Sequence, residues 1–291
     1  MNAPLVTVVV PMRNEAAGIL RCLESILANQ IPGDLELLVL DGESTDGSAQ
    51  LVGELAMRAP RVRLLDNPAR LPADAFNIGL AAARGRYLVR MDAHTLYEPD
   101  YISESVRLLE ETGAANVGGV QRATGTTATS RAIAAAVSSR FAAGDAAYRN
   151  ATTAGWTDTV YLGSWRTDTL RALGGMRPGW AVNEDYEMNI RLRASGGRIY
   201  LSPTIRSTYF VRGSLSKLAR QYFRYGFWKV RTLRMHPGSV RWRQLVAPAF
   251  ALSLLATPLN IWLMVPQLVR LPLIANACAT MHASEQIATA N

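Results

Sequence analysis

Over the first 120 residues, short apolar runs alternate with segments in which apolar residues recur at helical spacing. Residues 6–10 form a continuous, β-branched run of the kind buried on both faces of a parallel sheet. Residues 11–15 (Pro-Met-Arg-Asn-Glu) leave it as a turn. Asn14 is placed to cap a helix carrying Ile19, Leu20, Leu23, Ile26 and Leu27 on one face. Pro32-Gly33 breaks the chain, and residues 35–40 repeat the buried-strand pattern. A polar loop from Asp41 to Gly47 precedes Leu51, Val52 and Leu55 at helical spacing. Residues 62–65 then read as a third strand, 73–83 as a third helix and 87–91 as a fourth strand. Strands alternating with helices imply right-handed crossovers, a parallel sheet, and ligands gathered at the strands' carboxyl ends.

Beyond Pro99-Asp100 a helix runs through Glu111 and ends at Gly113, and 116–120 gives another strand. From 121 to 156 the pattern weakens into Ala, Thr, Ser and Gly, with a helix near 130–148. Leu170 to Leu173, ended by Gly174-Gly175, and residues 183–192 restore helical periodicity. Residues 198–201 and 208–211 read as two further strands. Ser214 is placed to cap a long helix reaching about Arg234, on which Leu215, Leu218, Tyr222, Phe223, Phe227, Val230 and Leu233 alternate with Lys217, Arg220, Arg224, Lys229, Arg231 and Arg234. A basic amphipathic helix of this kind suits a membrane surface.

The net charge of +8 sharpens that reading. Residues 198–291 carry +11 and residues 1–197 carry −3. The basic zone runs into residues 244–269, which hold no charged side chain and are about long enough to cross a bilayer. Pro248, Pro258, Pro266 and Asn260 interrupt that stretch, so lying in the interface competes with spanning. Membrane attachment is therefore expected ahead of nucleic-acid binding. Cys22 and Cys278 match no zinc or redox spacing, which fits a reducing compartment, and no charged region of a signal peptide precedes Val6. Residues 275–291 read as a polar tail.

Candidate chemistry sits where the fourth strand ends. Asp92 and His94 are two positions apart, so in an extended segment both point to one side. A carboxylate and an imidazole there suit a divalent cation held against a phosphate. Asp41 closes the second strand and is the better ligand candidate of its loop, whereas Asp46 fits turn chemistry. Acids at the start of the 183–192 helix, Glu184 and Asp185, are also favoured by the helix dipole. No Gly-x-Gly-x-x-Gly follows the first strand and no Walker sequence occurs.

Taken in order, Val10-Pro11-Met12-Arg13-Asn14-Glu15, Asp41 with Ser44-Thr45-Asp46-Gly47, Asn77-Ile78-Gly79 with Gly85, Asp92-Ala93-His94, Gly174-Gly175, Glu184-Asp185 and Gln221-Tyr222-Phe223-Arg224-Tyr225 resemble the family 2 glycosyltransferases over residues 4–235. The Asp-Ala-His variant, together with Arg220-Gln221-Tyr222-Phe223-Arg224-Tyr225-Gly226 ahead of a membrane segment, most resembles the succinoglycan-type exopolysaccharide enzymes. The resemblance implies a GT-A fold: a Rossmann-like, mixed but mostly parallel α/β sheet flanked by helices. It divides the chain into a donor-binding half (1–120), an acceptor and base half (121–211), a basic amphipathic region (212–243), a hydrophobic segment (244–269) and a tail (270–291).

It further implies that Pro11, Arg13, Glu15 and Asp41 line the nucleotide pocket. Asp92 and His94 would hold Mn²⁺ or Mg²⁺ on the donor diphosphate, with His94 standing where Asp is commoner. Asp185 becomes the catalytic base and Glu184 an acceptor contact. Gln221 and Arg224 would grip the leaving diphosphate, and Tyr225 takes the place of the family's Trp beside the acceptor. The expected activity is inverting transfer of one sugar from a nucleotide diphosphate sugar, of the UDP-glucose kind, to a polyprenyl-diphosphate-linked glycan on the cytoplasmic face of a bacterial inner membrane. Transfer to polyprenyl phosphate is the alternative within the class, and a catalytically silent nucleotide-binding membrane subunit the alternative outside it.

Overall fold

The computed structural model describes residues 4–31, 33–139, 147–211 and 214–239, and, beyond them, 246, 249–254 and 256–257. The chain divides at Ser239 into one unit, Met1–Ser239, and a second, Val240–Asn291. Most of the uncharged segment 244–269 and all of the tail lie outside the described residues. Among the described residues no helix is long and apolar enough to cross a membrane.

The first unit is built on a nine-stranded sheet ordered β3-β2-β1-β4-β8-β6-β9-β5, with β7 added beside β9. Its strands are β1 (Val6–Met12), β2 (Leu35–Asp41), β3 (Val62–Asp66), β4 (Tyr87–Arg90), β5 (Thr95–Tyr97), β6 (Asn116–Thr124), β7 (Gly155–Thr157), β8 (Tyr161–Arg166) and β9 (Ile199–Phe210). The helices are α1 (Ile19–Leu27), α2 (Ser48–Arg58), α3 (Pro72–Ala82), α4 (Tyr101–Thr112), α5 (Ala128–Ser138), α6 (Ala147–Asn150), α7 (Thr167–Leu173), α8 (Glu184–Ala194) and α9 (Leu215–Met235). The long ladders, β1 with β2 and β6 with β9, are parallel, as are β2 with β3 and β1 with β4. β8 runs antiparallel to β4 and β6, which makes the sheet mixed.

Both faces of the parallel half are covered. Val6, Val8, Val10, Leu37 and Val39 pack with Ile19, Leu23 and Ile26 of α1 on one side. Val9, Leu38, Leu40 and Leu88 pack with Phe76 and Leu80 of α3 on the other, where Phe76 meets Trp165 edge-on with ring centroids 5.7 Å apart. The alternation inside β1 thus feeds two cores, as the period of a strand requires.

Several sequence expectations are corrected. Residues 198–201 and 208–211 are not two strands: β9 runs unbroken from Ile199 to Phe210, and its pairing with β6 shifts register between Gly118 and Val120. Pro203 sits inside that strand, at the register irregularity between the Gly118–Leu201 and Val120–Arg206 pairs. Of the helix expected near 130–148, α5 starts earlier, at a capping box between Thr127 and Ser130, and stops at Ser138; residues 140–146 of that expectation lie outside the described residues. β5, β7 and β8 carry no strong sequence signal because each is short or polar. Asn14 does not cap α1, whose N-cap is Gly18.

Two of the small-residue motifs have a packing reason. Gly174 and Gly175 adopt positive φ (+79° and +66°), and a Cβ on Gly175 would lie 2.4 Å from Asn77 Oδ1. That oxygen accepts from the Met176 N–H (2.9 Å), while Asn77 Nδ2 donates to the Met176 carbonyl (2.7 Å). The pair clamps α3 to the turn leading towards α8. Gly85 lies against β1, where a Cβ would sit 2.4 Å from Thr7 N.

Candidate active site

Because β1 pairs with both β2 and β4, three loops leave the sheet side by side. The first two are sewn together. Asn14, at φ +56°, accepts at Oδ1 from the Thr45 N–H (2.8 Å) and donates its own N–H to Ser44 Oγ (2.9 Å). The Glu15 N–H donates to Ser48 Oγ (2.8 Å) and the Ala16 N–H to Asp46 Oδ2 (2.9 Å). Asp46 therefore spends its carboxylate on loop structure. Asp41 is the last residue of β2 and accepts from the Ser44 N–H (3.1 Å) and Oγ (2.5 Å). Pro11 stands opposite Leu40 in the β1–β2 register, and Arg13 is exposed just past it, close against Gly42.

Asp92 and His94 follow β4 and lie at the same edge. His94 Nδ1 is 3.3 Å from Glu15 Oε1, and its ring meets Tyr209 edge-on at 5.6 Å. The Asp92 backbone N–H donates to Tyr97 Oη (2.6 Å), and Tyr161 Oη donates to Asp92 Oδ2 (3.1 Å). Burial pushes both tyrosine hydroxyls well above their ordinary range, so both keep their protons and remain donors. Pro11, Arg13, Glu15, Asp41, Asp92 and His94 are thus gathered at one end of the sheet.

Glu184 and Asp185 arrive from the other half of the unit. Asn183, at φ +63°, turns the chain into α8. Glu184 Oε1 accepts from Arg90 Nη2 (2.8 Å), and the same nitrogen stands 3.6 Å from Asp92 Oδ1. Arg90 is only 7% exposed. Burial alone would weaken its charge, but Glu184, Asp92 and Asp185 outweigh that and hold it protonated. For Asp185, burial and the adjacent Glu184 push the carboxyl up to about 6, against the pull of Arg90 and of the Tyr186 N–H, 2.7 Å from Oδ1. Asp92 also bears on Asp185 electrostatically. Asp185 and Asp92 therefore belong to one charge cluster.

The third group sits on α9, which is anchored beside α8. Trp228 packs on Trp180 (centroids 5.6 Å), Lys229 Nζ lies 3.6 Å over the Tyr186 ring, and His236 Nε2 is 3.1 Å from the fully buried Glu187. Asn183 Nδ2 donates to the Tyr225 carbonyl (3.5 Å), and Gln221 Nε2 donates to Tyr225 Oη (2.5 Å). Burial pushes the Tyr225 hydroxyl up to about 12. Arg224 is exposed on the same helix, and Gln221 joins this group through Tyr225.

The glycosyl transferase family 2 model matches residues 7–159, more than half of the chain. The chain belongs to glycosyl transferase family 2. This glycosyltransferase is 31% identical over 268 residues to succinoglycan biosynthesis protein ExoA of Rhizobium meliloti (strain 1021), a match spanning 88% of this chain and 81% of that protein. It is 26% identical over 246 residues to dolichyl N-acetyl-alpha-D-glucosaminyl phosphate 3-beta-D-2,3-diacetamido-2,3-dideoxy-beta-D-glucuronosyltransferase of Methanococcus voltae, covering 81% and 76% of the two chains.

Among solved structures, the mannosyltransferase PcManGT from Pyrobaculum calidifontis, in complex with GDP-Man and Mn²⁺, matches 83% of this chain and 66% of its own with a TM-score of 0.62 at 24% identity. S. aureus TarS 1-349 in complex with UDP-GlcNAc matches 72% and 59% with a TM-score of 0.56 at 16% identity. The chain thus spans about two thirds of these solved chains or less, and at such identities the likeness establishes the GT-A fold alone.

Arg90, Tyr97 and Tyr161 were not singled out from the sequence. Arg90 had a readable signal, an arginine inside an otherwise apolar strand, where burial demands an acidic partner. The tyrosines had none, since Tyr161 reaches Asp92 across 69 positions.

A testable consequence concerns stability. A carboxyl raised by folding keeps its proton in the folded chain between pH 3.8 and about 6, where the unfolded chain has lost it. Stability therefore falls as pH rises through that window, and the penalty is fully present above it. Asp185→Asn should melt higher than the parent by a few degrees at about pH 7.5, with the gap closing towards about pH 4. Calorimetry across that range checks it; a lower-melting variant at the higher pH contradicts the assignment.

Proposed function

We propose that this glycosyltransferase performs inverting transfer of a single sugar from a nucleotide diphosphate donor, of the UDP-glucose kind, to a polyprenyl-diphosphate-linked glycan at the cytoplasmic face of a bacterial inner membrane. The observation that carries it is the sharing of Arg90 between Asp92 on the donor side and Glu184, next to Asp185, on the acceptor side. In this reading Pro11, Arg13, Glu15 and Asp41 line the pocket for base and ribose, and Glu184 and Tyr225 face the acceptor.

Asp185 takes the proton of an acceptor hydroxyl as its oxygen forms the new bond to the anomeric carbon. The bond from that carbon to the diphosphate oxygen breaks on the opposite face, which inverts the configuration. A carboxyl with a pKa raised to about 6 is ionised at neutral pH yet basic enough to hold the proton. Tyr161 fixes the Asp92 carboxylate throughout.

The donor set fits a divalent cation that completes its shell elsewhere. Asp92 offers one carboxylate and His94 one imidazole, and among the described residues no group of three metal-ligating side chains occurs. Mg²⁺ and Mn²⁺ commonly take one or two protein ligands and fill the rest with substrate phosphates and water. A bound ion supplies charge neutralisation on the leaving diphosphate. The imidazole suits Mn²⁺ better than Mg²⁺.

α9 supports the membrane part of the reading. Phe223 (77%), Phe227 (65%) and Val230 (51%) are exposed on a helix that also exposes Arg220, Arg224, Arg231 and Arg234. Apolar side chains beside arginines fit an anionic lipid surface.

Three outcomes are expected. With UDP-sugars and a lipid-linked acceptor, Asp185→Asn should lose at least about 100-fold in kcat while donor affinity measured by calorimetry is retained; turnover equal to the parent removes Asp185 from its role. Chelation should abolish donor binding and Mn²⁺ restore it, and binding indifferent to EDTA rejects the Asp92/His94 assignment. In flotation, the chain should follow vesicles rich in anionic lipid, with recovery falling on Phe223→Ser/Phe227→Ser and at high salt; equal flotation of parent and variant rejects the α9 face.

A further inference from the structure

Arg90 is an unusual counter-ion. All four residues of β4 are buried, and Arg90 faces three carboxylates with one guanidinium. It makes one close hydrogen bond, from Nη2 to Glu184, while its Nε and Nη1 are enclosed with no acceptor among the described residues. A buried ion pair kept for stability has its remaining N–H groups satisfied, because desolvating a guanidinium otherwise outweighs the attraction. Buried donors left unmade in a folded protein call for another explanation. Position supplies one. β4 belongs to the parallel half that carries Asp92, whereas Glu184 opens α8, which follows much later in the chain. Arg90 joins Asp92 to the first turn of α8 through a single nitrogen.

We propose that Arg90 is a positioning residue for sugar transfer. It pins Glu184, and with it the helical turn that carries Asp185, to the strand end that carries Asp92, and so sets the gap between proton acceptor and leaving group. Without that link the two halves of the site still fold and the donor still binds, but the base is free to drift; a small misplacement of a reacting group slows chemistry far more than it weakens binding. The proposal rests on the transferase reading above.

The test uses the full chain in three variants, Arg90→Met, Glu184→Leu and the two combined, with Arg90→Lys as a conservative fourth. Arg90→Met leaves Glu184 buried without a partner and should lower Tm, and the combined variant, with the pair made apolar, should regain most of it. Donor Kd should stay within about twofold in every folded variant. kcat should fall at least about tenfold in Arg90→Met, and the combined variant should lose no more than the worse single one, since both act through one link. Arg90→Lys keeps the charge but replaces the fork with a single ammonium, and should fall at least about fivefold in kcat with KM for the donor unchanged. Amide exchange over residues 184–188 should quicken in Arg90→Met while that of β1 and β2 does not.

Recovery of kcat together with Tm in the combined variant overturns the proposal, as does a multiplicative loss, or Arg90→Lys with parental kcat. If the parent chain transfers sugar from no nucleotide donor, the transferase reading fails. Exchange still decides Arg90 in that case, because unchanged protection at 184–188 in Arg90→Met overturns the pinning.

Discussion

One guanidinium facing three carboxylates, enclosed between a strand end and a helix start, is the constraint around which the site is arranged. Asp92 and Glu184 are each within 3.6 Å of the same Arg90 nitrogen, and Asp185 adds its charge to the cluster. Three acids brought so close would repel one another and take up protons without a fixed cation. Arg90 offsets that repulsion, while burial and the adjacent Glu184 leave the Asp185 carboxyl raised to about 6. The hydroxyls of Tyr97 and Tyr161, kept protonated by burial, serve the same end by donating to or accepting from Asp92 from two further elements.

The scaffold that delivers these groups is rigid where it must be. Glu36, inside β2, would be pushed up by burial, yet Thr7 Oγ1 and the Arg84 N–H and guanidinium all donate to it and hold it below the usual carboxylate range. That knot locks the amino ends of β1, β2 and β4 together, at the opposite end of the strands from the site. At the carboxyl ends, the side chains of Asn14, Ser44, Asp46 and Ser48 sew the first two loops into one wall. Loops carry the chemistry, but here side chain-to-backbone bonds give them a fixed shape.

α9 has two faces with different work. Trp228, Lys229 and the end of the helix at His236 bind it to α8, while Phe223, Phe227 and Val230 are left to the outside. Among the described residues the helix is thus tied to α8 on one side and exposed on the other.

Much of this was readable along the chain. The β-branched runs of β1 and β2 and the apolar stripe of α1 specify their own burial, because period-two and period-3.6 patterns can hide their apolar residues in only one way. The order of short motifs, from Pro11 through Asp92 to Asp185, likewise identified the family without coordinates. What lay outside that reach are pairings between distant positions. Nothing local to Tyr161 announces a bond to Asp92, and β9 looked like two strands because Pro203 interrupts its pattern while β6 holds it together. Asn14 looked like a helix cap because its own segment offers that use; the competing partner, Thr45, comes from another loop. Local periodicity follows from a residue's neighbours in the chain and is present before folding, whereas the sharing of Arg90 by Asp92 and Glu184 exists only once β4 and α8 have been brought side by side.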